Sequence, residues 1–160
     1  MFFSNTVISQ SVCSSDSSKY LAAFNYIKSD TINKGIDFYV SDMIVDMDRF
    51  WFRSDLLKIY PKELATIDSL QKYEWFDDFR SCVINSLFGN KNRKSKSILF
   101  FSTIDKNTLR ADLIYDRMYE TEYKYDVITM FNTSPIYAYL FFFNSDNTIK
   151  LVFRTPIIYN

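Results

Sequence analysis

The spacing of apolar residues predicts helices in the first half of the chain and strands in the second half. Four apolar residues after Asp16 recur at helical spacing: Tyr20, Leu21, Phe24 and Ile27. The alternating stretch that starts at Ile36 then predicts a short strand. A longer helical stripe begins after Pro61 and continues through Phe79 to Leu87, with a change of phase near Trp75. We therefore predict an N-terminal helix and strand followed by a long helix, either kinked or divided in two.

Beyond Gly89, which suits the end of that helix, the pattern is typical of strands. The stretches SILFFSTI and TLRADLIY flank a turn signal at 105–107, YDVITMF follows, and IYAYLFFF and TIKLVFR flank a second turn signal at 145–147. Pro156 either ends the last strand or marks it as a sheet edge. We predict a single α+β domain over residues 16–160. It has two layers, with helices on one face of a mainly antiparallel sheet of about four or five strands.

The first 15 residues contain a short apolar stretch followed by small and polar residues. They lack the basic region of a signal peptide, and their apolar part is short for one. Two alternatives stay open, a flexible tail or the remnant of a signal peptide cleaved near Gln10. The second makes a periplasmic or secreted location somewhat more expected than a cytoplasmic one. No later segment reaches the 18 or so apolar residues of a membrane helix, so we predict no transmembrane segment.

The composition and charge of the chain argue against some classes of function. Aromatic residues make up 19% of the chain, with 16 Phe and 12 Tyr, although an AT-rich coding sequence would explain part of this excess. The net charge is zero, and the one basic run, at 91–96, follows a predicted helix end, where cations complement the helix dipole. We therefore predict no nucleic-acid partner.

The sequence contains few residues suited to catalysis or to metal or phosphate binding. The chain has no His, which removes His-based catalysis and His metal ligands, and its 2 Gly exclude phosphate-binding Gly-rich loops. We predict no cofactor and no metal. Among the carboxylates, the catalytic candidates, all weak, are Asp42, Asp46 and Asp48, which share strand parity and would line one face. They make a carboxylate-dependent hydrolase of sugars or phosphoesters an alternative function, although a solvated strand face is the simpler explanation.

Two cysteines, Cys13 and Cys82, are the whole thiol content of the chain. They either form one disulfide, worth about 4 kcal/mol in the chain-entropy model, or remain two free thiols. No CxxC spacing is present, so a zinc site or a thioredoxin-type motif has no support.

The strand predicted over residues 136–143 is apolar on both faces. We assign Ile136, Ala138, Leu140 and Phe142 to the helix-covered core. The opposite face, here called the Tyr/Phe face, is predicted as the binding surface and consists of Tyr137, Tyr139, Phe141 and Phe143.

Three covers for the Tyr/Phe face stay open. They are the chain's own tail or its 48–52 segment, a protein partner or second copy, and a small ligand. On this basis we predict a non-enzymatic binding protein that contacts a protein partner or itself. A structural subunit of a larger assembly is a further alternative.

Overall fold

A computed structural model describes residues 16–45, 47–61, 78–89, 95–115, 125 and 135–157. The predicted N-terminal tail lies outside these ranges. So do most of the predicted long helix and, apart from Tyr125, the strand predicted over residues 125–131.

The described residues confirm the predicted α+β class. Two 3₁₀ turns accompany the helices, the first at Thr31–Asn33 and the second at Phe50–Phe52. The helices are α1 (Ser17–Ser29), α2 (Arg53–Ile59) and α3 (Cys82–Phe88). The strands are β1 (Phe38–Ile44), β2 (Phe79–Arg80), β3 (Ser97–Phe101), β4 (Thr108–Ile114), β5 (Ile136–Phe143) and β6 (Ile149–Ile157). No described helix is both long and apolar enough to cross a lipid bilayer.

All six strands join one sheet in the order β2-β1-β3-β4-β5-β6, so the sheet is slightly larger than predicted. Strands β3 to β6 form the antiparallel series that the sequence indicates, while β1 runs parallel to β3. The parallel pair requires a crossover, and α2, β2 and α3 lie within that connection.

The prediction of a helix through Phe79 is wrong at that residue. Phe79 pairs with Ile44 and Arg80 with Met43 at the edge of the sheet. A separate helix, α3, starts only after Ser81, whose side chain accepts a hydrogen bond from the N–H of Ile84. Phe79 is 47% exposed, so its helical spacing with Val83 did not reflect burial in the core.

Both faces of the sheet are covered. On one face, α1 and α3 pack over residues of β3, β4 and β5. On the other, Phe52 and Leu56 are fully buried among Phe100, Ala138 and Leu140. Helices therefore lie on two faces, where the sequence indicated one, because β5 carries apolar side chains on both sides and each side needs shielding from water.

Candidate functional site

The predicted binding surface, the Tyr/Phe face, lies beneath α1. Tyr139 and Phe141 are 0% exposed and Phe143 is 5% exposed, while Tyr137 is half-buried. The ring of Tyr26 on α1 meets that of Phe141 edge-on at a centroid distance of 5.6 Å. The described cover is therefore intramolecular and is formed by α1, while the 48–52 segment packs on the opposite face of the sheet and the tail lies outside the described residues. The prediction that no helix covers this face was wrong. These rings provide the broad apolar surface against which α1 packs.

A polar network occupies one end of the Tyr/Phe face. The Tyr139 hydroxyl donates to Oδ2 of Asp30 at 3.2 Å and accepts from Nδ2 of Asn33 at 3.1 Å. Nη1 of Arg154 donates to both carboxylate oxygens of Asp30, at 2.8 and 2.7 Å. Burial raises the pKa of Asp30, but hydrogen bonds from Arg154 and from a backbone N–H outweigh it and leave that pKa lowered. The network fastens β6 to the turn that follows α1.

Two tyrosines at this polar network, Tyr115 and Tyr139, are not suited to act as bases. Burial, with a smaller contribution from Tyr137, raises the pKa of Tyr115 to about 12. Burial also raises the pKa of Tyr139. Both hydroxyls therefore stay protonated near neutral pH, and their hydrogen bonds hold the fold together.

A second polar cluster lies on the opposite face of the sheet. Arg110 and Asp112 of β4 are 1% and 0% exposed, and Nε–Oδ1 and Nη2–Oδ2 bonds of 2.9 and 2.7 Å join them. The hydroxyl of Tyr125 also donates to Asp112, and Nη1 of Arg110 donates to the backbone oxygen of Asp48. The ring of Phe52 lies 6.0 Å from the guanidinium carbon. This pair fixes the chain around residues 48–52 to the sheet, and its carboxylate is sealed from any substrate.

The weak catalytic candidates have separate partners. Asp42 forms an ion pair with Arg80 between β1 and β2. Oδ1 of Asp48 accepts from the N–H of Phe50 at 2.8 Å and lies 3.6 Å from Nη1 of Arg110. Asp46 lies outside the described residues. In the described ranges, no three metal-ligating side chains come together.

Cys82 is the first residue of α3 and is disulfide-bonded. Cys13 lies outside the described residues. The Cys13–Cys82 pairing therefore stays a prediction.

A cavity of about 300 Å³ lies between α1, α3 and β1. Its walls are largely apolar, with Phe24, Phe38 and Phe88 among them. Nζ of Lys28, another lining residue, lies 5.7 Å from the centre of the Phe24 ring. The volume is at the lower end of the range for small-molecule sites.

The outer backbone of β6 forms one edge of the sheet. Within the described part of the chain, β6 is the last strand of the sheet. The N–H of Phe143 donates to Asn107 O at 2.9 Å, on the β4 side of β5. Since successive residues direct their backbone groups to opposite sides, every second residue of β5 also bonds toward β4. The β6 residues paired with these therefore direct their backbone groups away from β5, toward the outside of the sheet. They are Val152, Arg154 and Pro156.

Pro156 fits this geometry because it lacks an N–H and sits where β5 requires none. The expectation that Pro156 marks a sheet edge is confirmed. The sequence pattern identified this strand only as the partner of β5, so its outer side was not predicted as a site, although Pro156 and the alternation of TIKLVFR were the available signals.

Exposed aromatic side chains flank this edge. Phe50 and Trp51 are 64% and 41% exposed. The second 3₁₀ turn, which contains both residues, lies against β6. Their ring centroids are 6.3 Å apart. On the same face of β6, half-buried Phe153 meets Phe142 edge-on at 6.1 Å. We call this surface the β6 edge; it comprises the outer backbone of Val152–Pro156 with the side chains of Phe50, Trp51 and Phe153.

No protein-family model matches the chain, and neither the curated proteins nor the solved structures compared with it give a match.

Proposed function

We propose that this protein is a non-enzymatic protein-interaction module that binds an extended polypeptide segment as an added strand at the β6 edge. The observation that carries the proposal is a nine-residue antiparallel edge strand with exposed Phe50 and Trp51 beside it. The outward N–H and C=O groups of an edge strand form a template for another chain. Strand addition of this kind takes affinity from the main chain and selectivity from adjacent side-chain pockets.

The expected binding free energies indicate that both the outer backbone and the aromatic side chains of the β6 edge are needed. Val152 and Arg154 each present a donor and an acceptor, and Pro156 presents an acceptor. At about 0.5–1.5 kcal/mol net for each hydrogen bond, the backbone alone contributes roughly 3–7 kcal/mol before the cost of association. Micromolar binding requires about 8 kcal/mol net. The aromatic flank, where each buried ring adds about 1.5–3 kcal/mol, is therefore needed to hold a partner.

The β6 edge is also held in a fixed position. The hairpin with β5 is closed at Asn144 and Thr148, whose backbone bond measures 2.9 Å. Arg154 is anchored to Asp30 on one face of the sheet. On the other face, Arg110 donates to the backbone oxygen of Asp48, just before the 3₁₀ turn that carries Phe50. A preformed strand spends less conformational entropy on binding than a mobile loop does.

A hydrolase finds less support than a binding module. Asp42 and Asp48 contact different cations, and the carboxylate of Asp112 is buried and neutralised by Arg110. The proposed surface differs from the Tyr/Phe face predicted from the sequence, since α1 covers that face. The class of function, contact with a protein partner or a second copy, stays the same.

Site-specific photo-crosslinking in cells tests this proposal. A benzoylphenylalanine at Phe50 is the probe, and the same residue at Phe79, an exposed aromatic at the opposite end of the sheet, is the control. We expect an adduct with a polypeptide from position 50 only. Val152→Pro should abolish the adduct by removing an outward N–H, whereas Val152→Thr, which keeps that N–H, should retain it. An adduct that persists in Val152→Pro, or no adduct from position 50, contradicts strand addition.

A further inference from the structure

We infer that the cavity between α1, α3 and β1 binds a small monocarboxylate with an aromatic body. The juxtaposition that carries this inference is a wall of three phenylalanine rings with an exposed lysine beside it. The lining shares no residue with the β6 edge, so the inference goes beyond the proposed function and stands or falls separately from it.

The aromatic wall is built from three different elements. The ring of Phe24 on α1 meets Phe38 of β1 edge-on at 5.8 Å and Phe88 of α3 at 4.7 Å between centroids. Phe24 and Phe88 stay half-buried although both pack against the core. Protein interiors are close-packed, so an unfilled apolar hollow forgoes contacts that its lining atoms would otherwise make. A ligand ring in the cavity restores those contacts, and aromatic pairs favour the edge-on and offset arrangements already present in this wall.

The volume of the cavity restricts the size of the ligand. A water molecule occupies about 30 Å³ in the liquid, so a cavity of about 300 Å³ holds roughly ten non-hydrogen atoms. One aromatic ring with a short side chain has this size. A nucleotide, a sugar chain or a long-chain lipid is too large to be enclosed.

Lys28 supplies a cation to the cavity. Its side chain is exposed, and Nζ lies 5.7 Å from the centre of the Phe24 ring, so the charge adjoins the aromatic wall. Within the part of the chain that the structure describes, Lys28 forms no ion pair, and the nearby Asp30 is engaged by Arg154. A carboxylate on the ligand therefore gives this ammonium group a partner that the fold does not supply.

Asp37 limits the ligand to a single negative charge. This exposed residue also lines the cavity, and its carboxylate repels a second carboxylate on the ligand. The backbone oxygen of Asp37 accepts a hydrogen bond from Oγ of Ser95, which holds this side of the cavity to the residues before β3. The site is therefore formed before a ligand arrives, which lowers the entropic cost of binding.

Titration of the purified full chain, followed by amide chemical shifts in two-dimensional NMR, tests the inference. The probes are hydrocinnamate, its neutral amide hydrocinnamide and the cation phenethylammonium. We expect saturable shifts at residues around the cavity, with hydrocinnamate binding about two- to fivefold more tightly than the amide, as befits an exposed ion pair. Absence of saturable binding at millimolar hydrocinnamate, or tighter binding of phenethylammonium, overturns the inference.

Substitutions separate the roles of the cation and the aromatic wall. Lys28→Met keeps the apolar stem and should weaken hydrocinnamate about two- to fivefold while leaving hydrocinnamide unchanged. Lys28→Arg should retain the affinity, and Lys150→Met, which removes a cation from β6 instead, is the matched control. Because Lys28 and Lys150 are both exposed, the far-ultraviolet circular dichroism should not change. An equal effect of Lys28→Met and Lys150→Met on hydrocinnamate contradicts a site at Lys28.

Filling the cavity gives an independent measurement. Leu21 lines the cavity and is 42% exposed, so Leu21→Trp places a larger ring there without entering the core. We expect this variant to lose the binding of both hydrocinnamate and hydrocinnamide by at least about tenfold. Unchanged affinity of both probes in Leu21→Trp means that they bind elsewhere and contradicts the inference.

Discussion

Removal of the Asp112 carboxylate should produce one of the largest losses of stability available to a single substitution in this protein. Asp112→Ala leaves the guanidinium of Arg110, which is 1% exposed, without its bidentate partner. It also removes the acceptor for the hydroxyl of Tyr125. A buried charge that loses its counter-ion has neither water nor a partner to replace the lost interaction.

The expected size follows from the geometry. Breaking a buried ion pair by removing one partner costs about 3–5 kcal/mol. Asp48 is 52% exposed with Oδ1 3.6 Å from Nη1 of Arg110, so it can move closer and compensate in part. We therefore expect a loss of about 3–4 kcal/mol, which lowers Tm by roughly 6–16 °C in a chain of this length.

Urea unfolding of a double-variant cycle measures this loss. The cycle comprises Asp112→Ala, Arg110→Met and the combination of the two. We expect the combined variant to be more stable than Asp112→Ala alone, because it contains no isolated charge, so that the two single losses sum to more than the combined loss. A loss below about 1 kcal/mol for Asp112→Ala, or strict additivity, would refute the view that this pair fixes the fold.

Three further predictions concern the Tyr/Phe face and the thiols. Tyr139→Ala should lower the unfolding free energy by about 3–5 kcal/mol and Tyr139→Phe by about 1–3 kcal/mol in chemical denaturation, and unchanged values would mean that this face is not core. Because the pKa of Asp30 is lowered in the fold, its contribution is present above the unfolded pKa of about 4 and is lost as pH falls through the folded value. The stability advantage over Asp30→Asn should therefore shrink in acid, and a constant gap in thermal melts from neutral to acidic pH would contradict this. If Cys82 pairs with Cys13, Cys82→Ser should cost about 4 kcal/mol, and non-reducing mass spectrometry after alkylation should find no modified thiol in the parent chain.

Local sequence determined the turns and the strand faces. The turn signals at 105–107 and 145–147 correspond to tight turns in which Lys106, Asn107 and Asn147 have positive φ values of 47°, 58° and 66°. Asn tolerates this left-handed region better than most residues, so the signal lies in the residues themselves. The two-residue period of β5 likewise identified which of its side chains share a face.

Only the tertiary structure decided what lies on each face and which strand ends the sheet. Apolar periodicity shows that Tyr139 needs cover, but it does not distinguish α1 from a partner, because each cover removes the same ring from water. The parallel pairing of β1 with β3 and the edge positions of β2 and β6 depend on contacts between residues far apart in the chain. The β6 edge could therefore be located only after the strand order was known, although Pro156 already indicated a place where no backbone donor was required.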